Sequence, residues 1–197
     1  ALSASSSPGE FGHNPDLKKI PYDLPRARRL MHSVTKGKVL NLRCYTKYGA
    51  DRFAKFLEAS LADLGLNLNV SYVKDASAAS FLPKSQWHVS TSDIVDCLCH
   101  TGFFLWMIRS DMPFSLLHHE GFEKRLQQAL QKLDEEEQER AFQDLLAYVQ
   151  REHLYFTGYQ RAELTAFRKG IRFEPSKNGL NNFVYLDIDF ARVQTQR

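Results

Sequence analysis

Val39-Leu40-Asn41-Leu42-Arg43-Cys44-Tyr45-Thr46 sets Leu40, Leu42, Cys44 and Thr46 against Val39, Asn41, Arg43 and Tyr45, the two-residue period of a half-buried strand. From Ala50 to Leu64 the period changes. Phe53, Phe56, Leu57, Leu61 and Leu64 recur at helical spacing while Arg52, Lys55, Glu58 and Asp63 point elsewhere, and Gly65 stands where a helix closes on a left-handed residue. Leu66-Asn67-Leu68-Asn69-Val70-Ser71-Tyr72-Val73 then returns to alternation. Strand, helix and strand within roughly 35 residues predict a right-handed parallel crossover, and hence an α/β fold.

Working outward, Ser3 to Pro25 holds four of the seven prolines together with Gly9 and Gly12, which predicts an extended, irregular segment lying over a surface. A helix follows from Leu24 or Pro25 to His32, with Asp23 as its cap and Leu30 and Met31 facing inward. Downstream, Ser92–His100 reads as a third strand and Gly102–Arg109 as a short aromatic helix stopped by Asp111, Met112 and Pro113. Phe122–Leu133 and Glu135–Glu152 are helical, the second opened by Asp134 with Glu137 three residues on. Short strands are expected at His153–Gln160, Gly170–Phe173 and Phe183–Phe190. The expected division is an extended segment over 1–23 and one lobe over 24–197, with a mixed sheet and flanking helices.

Charge is nearly balanced, 26 basic against 23 acidic residues for a net of +3, so direct nucleic-acid contact is not expected of this piece. The longest apolar run, Phe103 to Ile108, is far below the ~20 residues of a membrane span. No export signal is visible at Ala1. The three cysteines are an odd set, and Cys97 and Cys99, sharing one strand face, are badly placed to bridge; all three read as buried thiols.

Parallel sheets present ligands at the carboxyl ends of their strands. That selects Tyr48 and Asp51, which lead into a helix amino terminus, and His100, Thr101 and Phe103 with Trp106 one turn later. Asp51 also suits a plain helix cap, and Phe103, Phe104 and Trp106 suit a core. His118, His119 and Glu120 are adjacent rather than spaced for a metal and read as a surface turn; Asp187 and Asp189 share a strand face with no nucleophile nearby. No catalytic residue, metal site or cofactor is assigned.

Tyr22, Asp23, Ala27, Arg28 and Leu30, then the Val39–Thr46 strand, then Leu64, Gly65, Leu66, Leu68 and Val70, come in an order that resembles the extracellular solute-binding proteins of family 5, the peptide and nickel type. Asp134, Glu139, Arg140, Phe142, Leu146 and Val149, followed by Phe167 to Gly170, extend the resemblance over nearly the whole chain. The family pattern departs at His100 to Phe104, where members carry a Trp and Asp-Pro rich loop. The resemblance implies a periplasmic-binding-protein-like lobe, the C-terminal part of a two-lobed receptor. It would close with a missing N-terminal lobe on a small solute or short peptide and pass it to an ABC permease. The expected location is then periplasmic or membrane-anchored. The same domain also occurs behind winged-helix regions in cytoplasmic transcription regulators that sense solutes.

Overall fold

Strand β1 (Leu40–Lys47) has neighbours on both sides in the computed structural model, which describes residues 6–47, 51–73, 83–91, 98–113, 115–158, 166–167, 169–173 and 186–188. β2 (Leu66–Val73) pairs with it in parallel from Leu40↔Leu66 to Lys47↔Val73, and β3 (Val89–Thr91) pairs in parallel on the other side from Cys44↔Val89 to Thr46↔Thr91. The order β2-β1-β3 makes β1 the central strand. Its carboxyl half is covered on both faces, which is why consecutive residues Cys44, Tyr45 and Thr46 are all buried where alternation alone would expose every second one.

The connection from β1 to β2 carries helix α2, Asp51–Ala62, whose Ala54 is buried. Leu64 and Gly65 donate back to Leu61 and Ala62 at 2.9 and 3.0 Å, and Gly65 takes φ 75°, so the chain reverses into β2 within three residues. β4 (Ile171–Phe173) and β5 (Leu186–Ile188) form a separate antiparallel pair. The α/β class therefore holds, its described strands divided between a parallel sheet and this pair.

Helices supply the larger core. Besides α1 (Leu24–Thr35), they are α3 (Thr101–Met107), α4 (Glu120–Leu130) and α5 (Glu135–Arg151). Leu105, Phe122, Leu126, Ala129, Phe142, Leu145, Leu146 and Val149 come together from α3, α4 and α5 with almost no exposed surface. The Asp134 carboxylate accepts the Glu137 amide at 2.9 Å and starts α5. At its far end His153 turns left-handed (φ 53°), and His153 and Leu154 donate to Gln150 and Val149 in a Schellman arrangement.

The irregular segment Ser6–Asp23 lies along α5. The Asn14 side chain donates to the Gln143 carbonyl, the Gln143 side chain donates to the His13 carbonyl, and that of Gln150 donates to the Lys18 carbonyl, each at 3.0 Å. The sheet is tied to the helices by Lys84, whose Nζ donates to the carbonyls of Ser110 and Met112 at 3.0 and 2.9 Å, and by Phe53 stacked on Phe156.

Several expectations are corrected. A third parallel strand is described at Val89–Thr91; of the expected Ser92–His100, 92–97, Cys97 included, lie outside the described residues, and Cys99 at φ 50° takes Leu98–His100 out of a strand. His153–Gly158 forms no strand, because the left-handed His153 ends α5 and sends Leu154 and Tyr155 onto the helical core; 159–160 lie outside the description. Helix α1 runs to Thr35 and Asp23 does cap it, accepting the Arg26 amide at 2.9 Å, yet it buries no residue and Leu30 points outward. α3 stops at Met107 rather than Arg109, and α4 spans Glu120–Leu130 rather than Phe122–Leu133. The turn at His118–Glu120 is a helix start, since His119 Nδ1 accepts the Phe122 amide at 3.2 Å. Asp189 lies outside the described residues.

Phe142 has no exposed surface, so truncation to alanine removes its packing and leaves a cavity. Urea denaturation of Phe142→Ala is expected to show a loss of about 3–5 kcal/mol. Leu133→Ala, at a fully exposed position, is expected to stay within about 0.5 kcal/mol of the parent.

Candidate functional site

The carboxyl ends of β1 and β3 lie side by side, and their last paired rung, Thr46↔Thr91, is closed by a buried hydrogen bond in which Thr91 Oγ1 donates to Thr46 Oγ1 at 2.8 Å. One residue earlier on the same strand is Tyr45, buried, with its ring edge-on to Trp87 at 5.6 Å. Burial pushes the Cys44 thiol up to about 11, a hydrogen bond with Thr91 opposing the shift. Tyr45 is raised too, chiefly by burial. Both groups stay neutral at ordinary pH, and Cys44 is an inert packing residue rather than a nucleophile.

Of the first predicted loop, Tyr48 lies outside the described residues and Asp51 is the exposed first residue of α2. The second group is described in full. His100 is extended (φ −139°, ψ 113°) and its Nδ1 accepts the Gly102 amide at 2.9 Å, capping α3. Its ring stacks on Phe11 at 4.5 Å and meets Phe142 edge-on at 5.3 Å.

Phe11 donates its amide to the Cys99 carbonyl and accepts the Thr101 amide, both at 3.0 Å, so the amino-terminal segment is stitched to the start of α3. Thr101 is buried, and its Oγ1 has no partner. A methyl group on Gly12 would come within 2.8 Å of Phe142 Cβ and 3.1 Å of Thr101 Cβ, and one on Gly102 within 2.5 Å of Phe142 Cζ, so both glycines permit close approach.

Phe103 is half-buried and Trp106 is 36% exposed, with the Arg109 guanidinium 5.1 Å over its ring and that guanidinium paired to Asp111 at 2.9 Å. The structure thus brings His100, Thr101, Phe103 and Trp106 together on one short helix. The His100 ring faces inward to Phe11 and Phe142, Thr101 is buried beside Gly12, and Trp106 keeps an exposed face. Sequence reading passed over Phe11, Gly12 and Arg109; the Trp106 to Arg109 spacing of one helical turn was the available signal for the last, while the contact of Phe11 with His100 spans too many residues to leave one.

Among the described residues no group of three His, Cys, Asp or Glu side chains could hold a metal ion, and no helix is long and apolar enough to cross a membrane.

No family model matches the chain, and no curated protein matches it. Solved structures do. The ABC transporter-associated periplasmic binding protein DppA from Helicobacter pylori, in complex with the peptide STSA, superposes with a TM-score of 0.62 at 18% identity, over 74% of this chain and 30% of that one. A dipeptide-binding protein from Pseudoalteromonas, in complex with Met-Leu, gives 0.61 at 14% identity over 75% of this chain and 32% of its own. NikA from Staphylococcus aureus, in complex with Ni(L-His)2, gives 0.57 at 16% identity over 71% and 31%. The chain spans about a third of the length of these proteins, and its fold is that of part of these binding proteins.

A thiol with a higher pKa in the folded chain holds its proton more tightly there, so its contribution to stability is lost as pH rises through the unfolded value near 9 toward about 11. Unfolding free energy is expected to fall over that interval by on the order of 1–2 kcal/mol, solvent screening reducing the full value. In Cys44→Ala the slope is expected to flatten, the part contributed by Tyr45 remaining.

Proposed function

We propose that this chain, with the fold of about a third of a family 5 solute-binding protein, supplies one wall of a cleft that holds a small solute or short peptide without transforming it. The observation that carries the reading is the parallel order β2-β1-β3, which sets the ends of β1 and β3 side by side at a topological switch, within a fold shared with peptide-bound and nickel-chelate-bound proteins. Tyr48, Asp51, Phe103 and Trp106 are the contacting residues in this reading. His100 and Thr101 belong to the same site as the groups that fix the start of α3. One wall cannot enclose a solute, so closure requires a second lobe from outside this chain, hinging onto it.

As the substrate-binding component of an ABC transporter, the protein would work in the periplasm or anchored to a membrane and hand its solute to a permease. A second reading, a solute-sensing domain of a cytoplasmic winged-helix regulator, is favoured by the buried free thiol of Cys44.

Titration of the isotope-labelled chain with dipeptides, the tetrapeptide STSA and the nickel–histidine chelate tests the site. Amide shifts are expected at positions 48–51 and 100–106, with dissociation constants of order 1 mM because only one wall is present. Trp106→Ala is expected to weaken the response about tenfold. Shifts confined to other positions, or none across the panel, refute the assignment.

A further inference from the structure

Helix α1 is the one α-helix among the described residues that buries no side chain. Leu30 and Val34, one turn apart on one face, are 56% and 73% exposed, and Tyr22, just ahead of the helix, is 88% exposed. Arg26 continues the Leu30–Val34 row one turn earlier.

Between Asp16 and Lys38 stand seven basic residues, Lys18, Lys19, Arg26, Arg28, Arg29, Lys36 and Lys38, against two acids, Asp16 and Asp23. Seven minus two gives +5 for this stretch, whereas the whole chain carries +3, so the rest of the chain sums to −2. All seven are exposed. Among the described residues none makes a salt bridge; Arg28 reaches only the Asp63 backbone carbonyl at 3.4 Å, and the Asp23 carboxylate is taken up by the Arg26 amide.

Unpaired positive charge and apolar side chains on one short helix and its flanks together define the surface that satisfies both. A second copy of the chain would bring like charges face to face. Nucleic acid would neutralise the charge and leave Tyr22, Leu30 and Val34 in water. An anionic lipid surface accepts both, the basic groups in the headgroup layer and the apolar ones at its acyl boundary. We propose that α1 and its basic flanks form an interfacial segment that lays this chain on an anionic lipid bilayer. The proposal stands on these residues alone and is independent of the solute reading.

Vesicle flotation tests it, with phosphatidylcholine vesicles alone and with about 30% phosphatidylglycerol. The chain is expected to float with the anionic vesicles at least about fivefold more than with the neutral ones, and to be released by roughly 0.5 M NaCl, where charge is screened within a few Å. Val34→Asp and the pair Lys36→Glu, Lys38→Glu are each expected to reduce flotation several-fold. These positions are exposed, and circular dichroism checks that the variants keep the parent's fold. Absence of flotation, equal flotation with neutral vesicles, or full flotation of all folded variants would overturn the proposal, the first outcome leaving the face to a protein partner.

Discussion

Phe142 is where three stretches far apart in sequence are held together. Its ring lies against His100 from the start of α3 and Phe11 from the amino-terminal segment, and two glycines, Gly12 and Gly102, exist at the distances that let backbone approach it. The residue sits on α5, so the cluster also fixes that helix against α3 and α4. An aromatic side chain of this size suits the role: it offers two faces and an edge at low conformational cost, and the surrounding rings meet it edge-on, the arrangement their quadrupoles favour. Withdraw it and the amino-terminal segment keeps its hydrogen bonds to Gln143 and Gln150 but loses the wall against which His100 is pressed.

The sheet was legible in the sequence to the extent that its order was written locally. β1, α2 and β2 follow one another closely in sequence, and each has the period of its own class, so their bounds in the fold lie within a residue or two of the pattern. β3 was not legible. It is three residues long, pairs with β1 across more than forty positions, and is preceded by the Lys84–Gln86 turn of 3-10 helix, whose purpose, the reach of Lys84 to two carbonyls, is tertiary. The stop at His153 escaped for a different reason. A left-handed cap usually advertises itself with glycine, and here histidine takes that conformation, costing roughly 1 kcal/mol or more that the two returning hydrogen bonds and the packing of Leu154 and Tyr155 offset.

The candidate site divides along the same line. Its proposed position, at strand ends and at the head of α3, rests on the order of elements alone. The roles within it needed partners. His100 carries a polar ring at a loop, the usual mark of a ligand group, and the fold uses that ring to cap a helix and to stack on Phe11. Thr101 likewise reads as a polar lining residue and lies beneath Gly12. Trp106, which composition alone would assign to a core, is the aromatic that keeps an open face, steadied by Arg109. Side-chain type sets what a residue can do; the segment folded over it decides which of those uses remains.

A wall that is to receive a solute has to hold its strand ends fixed relative to the helix that presents the aromatic face. Here two links of different kind do this. Lys84, between β2 and β3, donates to carbonyls just beyond α3, and Phe53 of α2 stacks on Phe156 just beyond α5, where Gly158 leaves the space the Phe53 ring occupies. The first link is directional and fixes the register of β3 against α3. The second is dispersive, tolerates small rotations and holds α2 to the helical side. The amino end of α2 carries Asp51 and the amino end of α3 carries His100, so both predicted loops end on elements these links fasten. The strand ends and the head of α3 are thereby fastened to one framework, and a partner meeting this surface would need to reorder little of it.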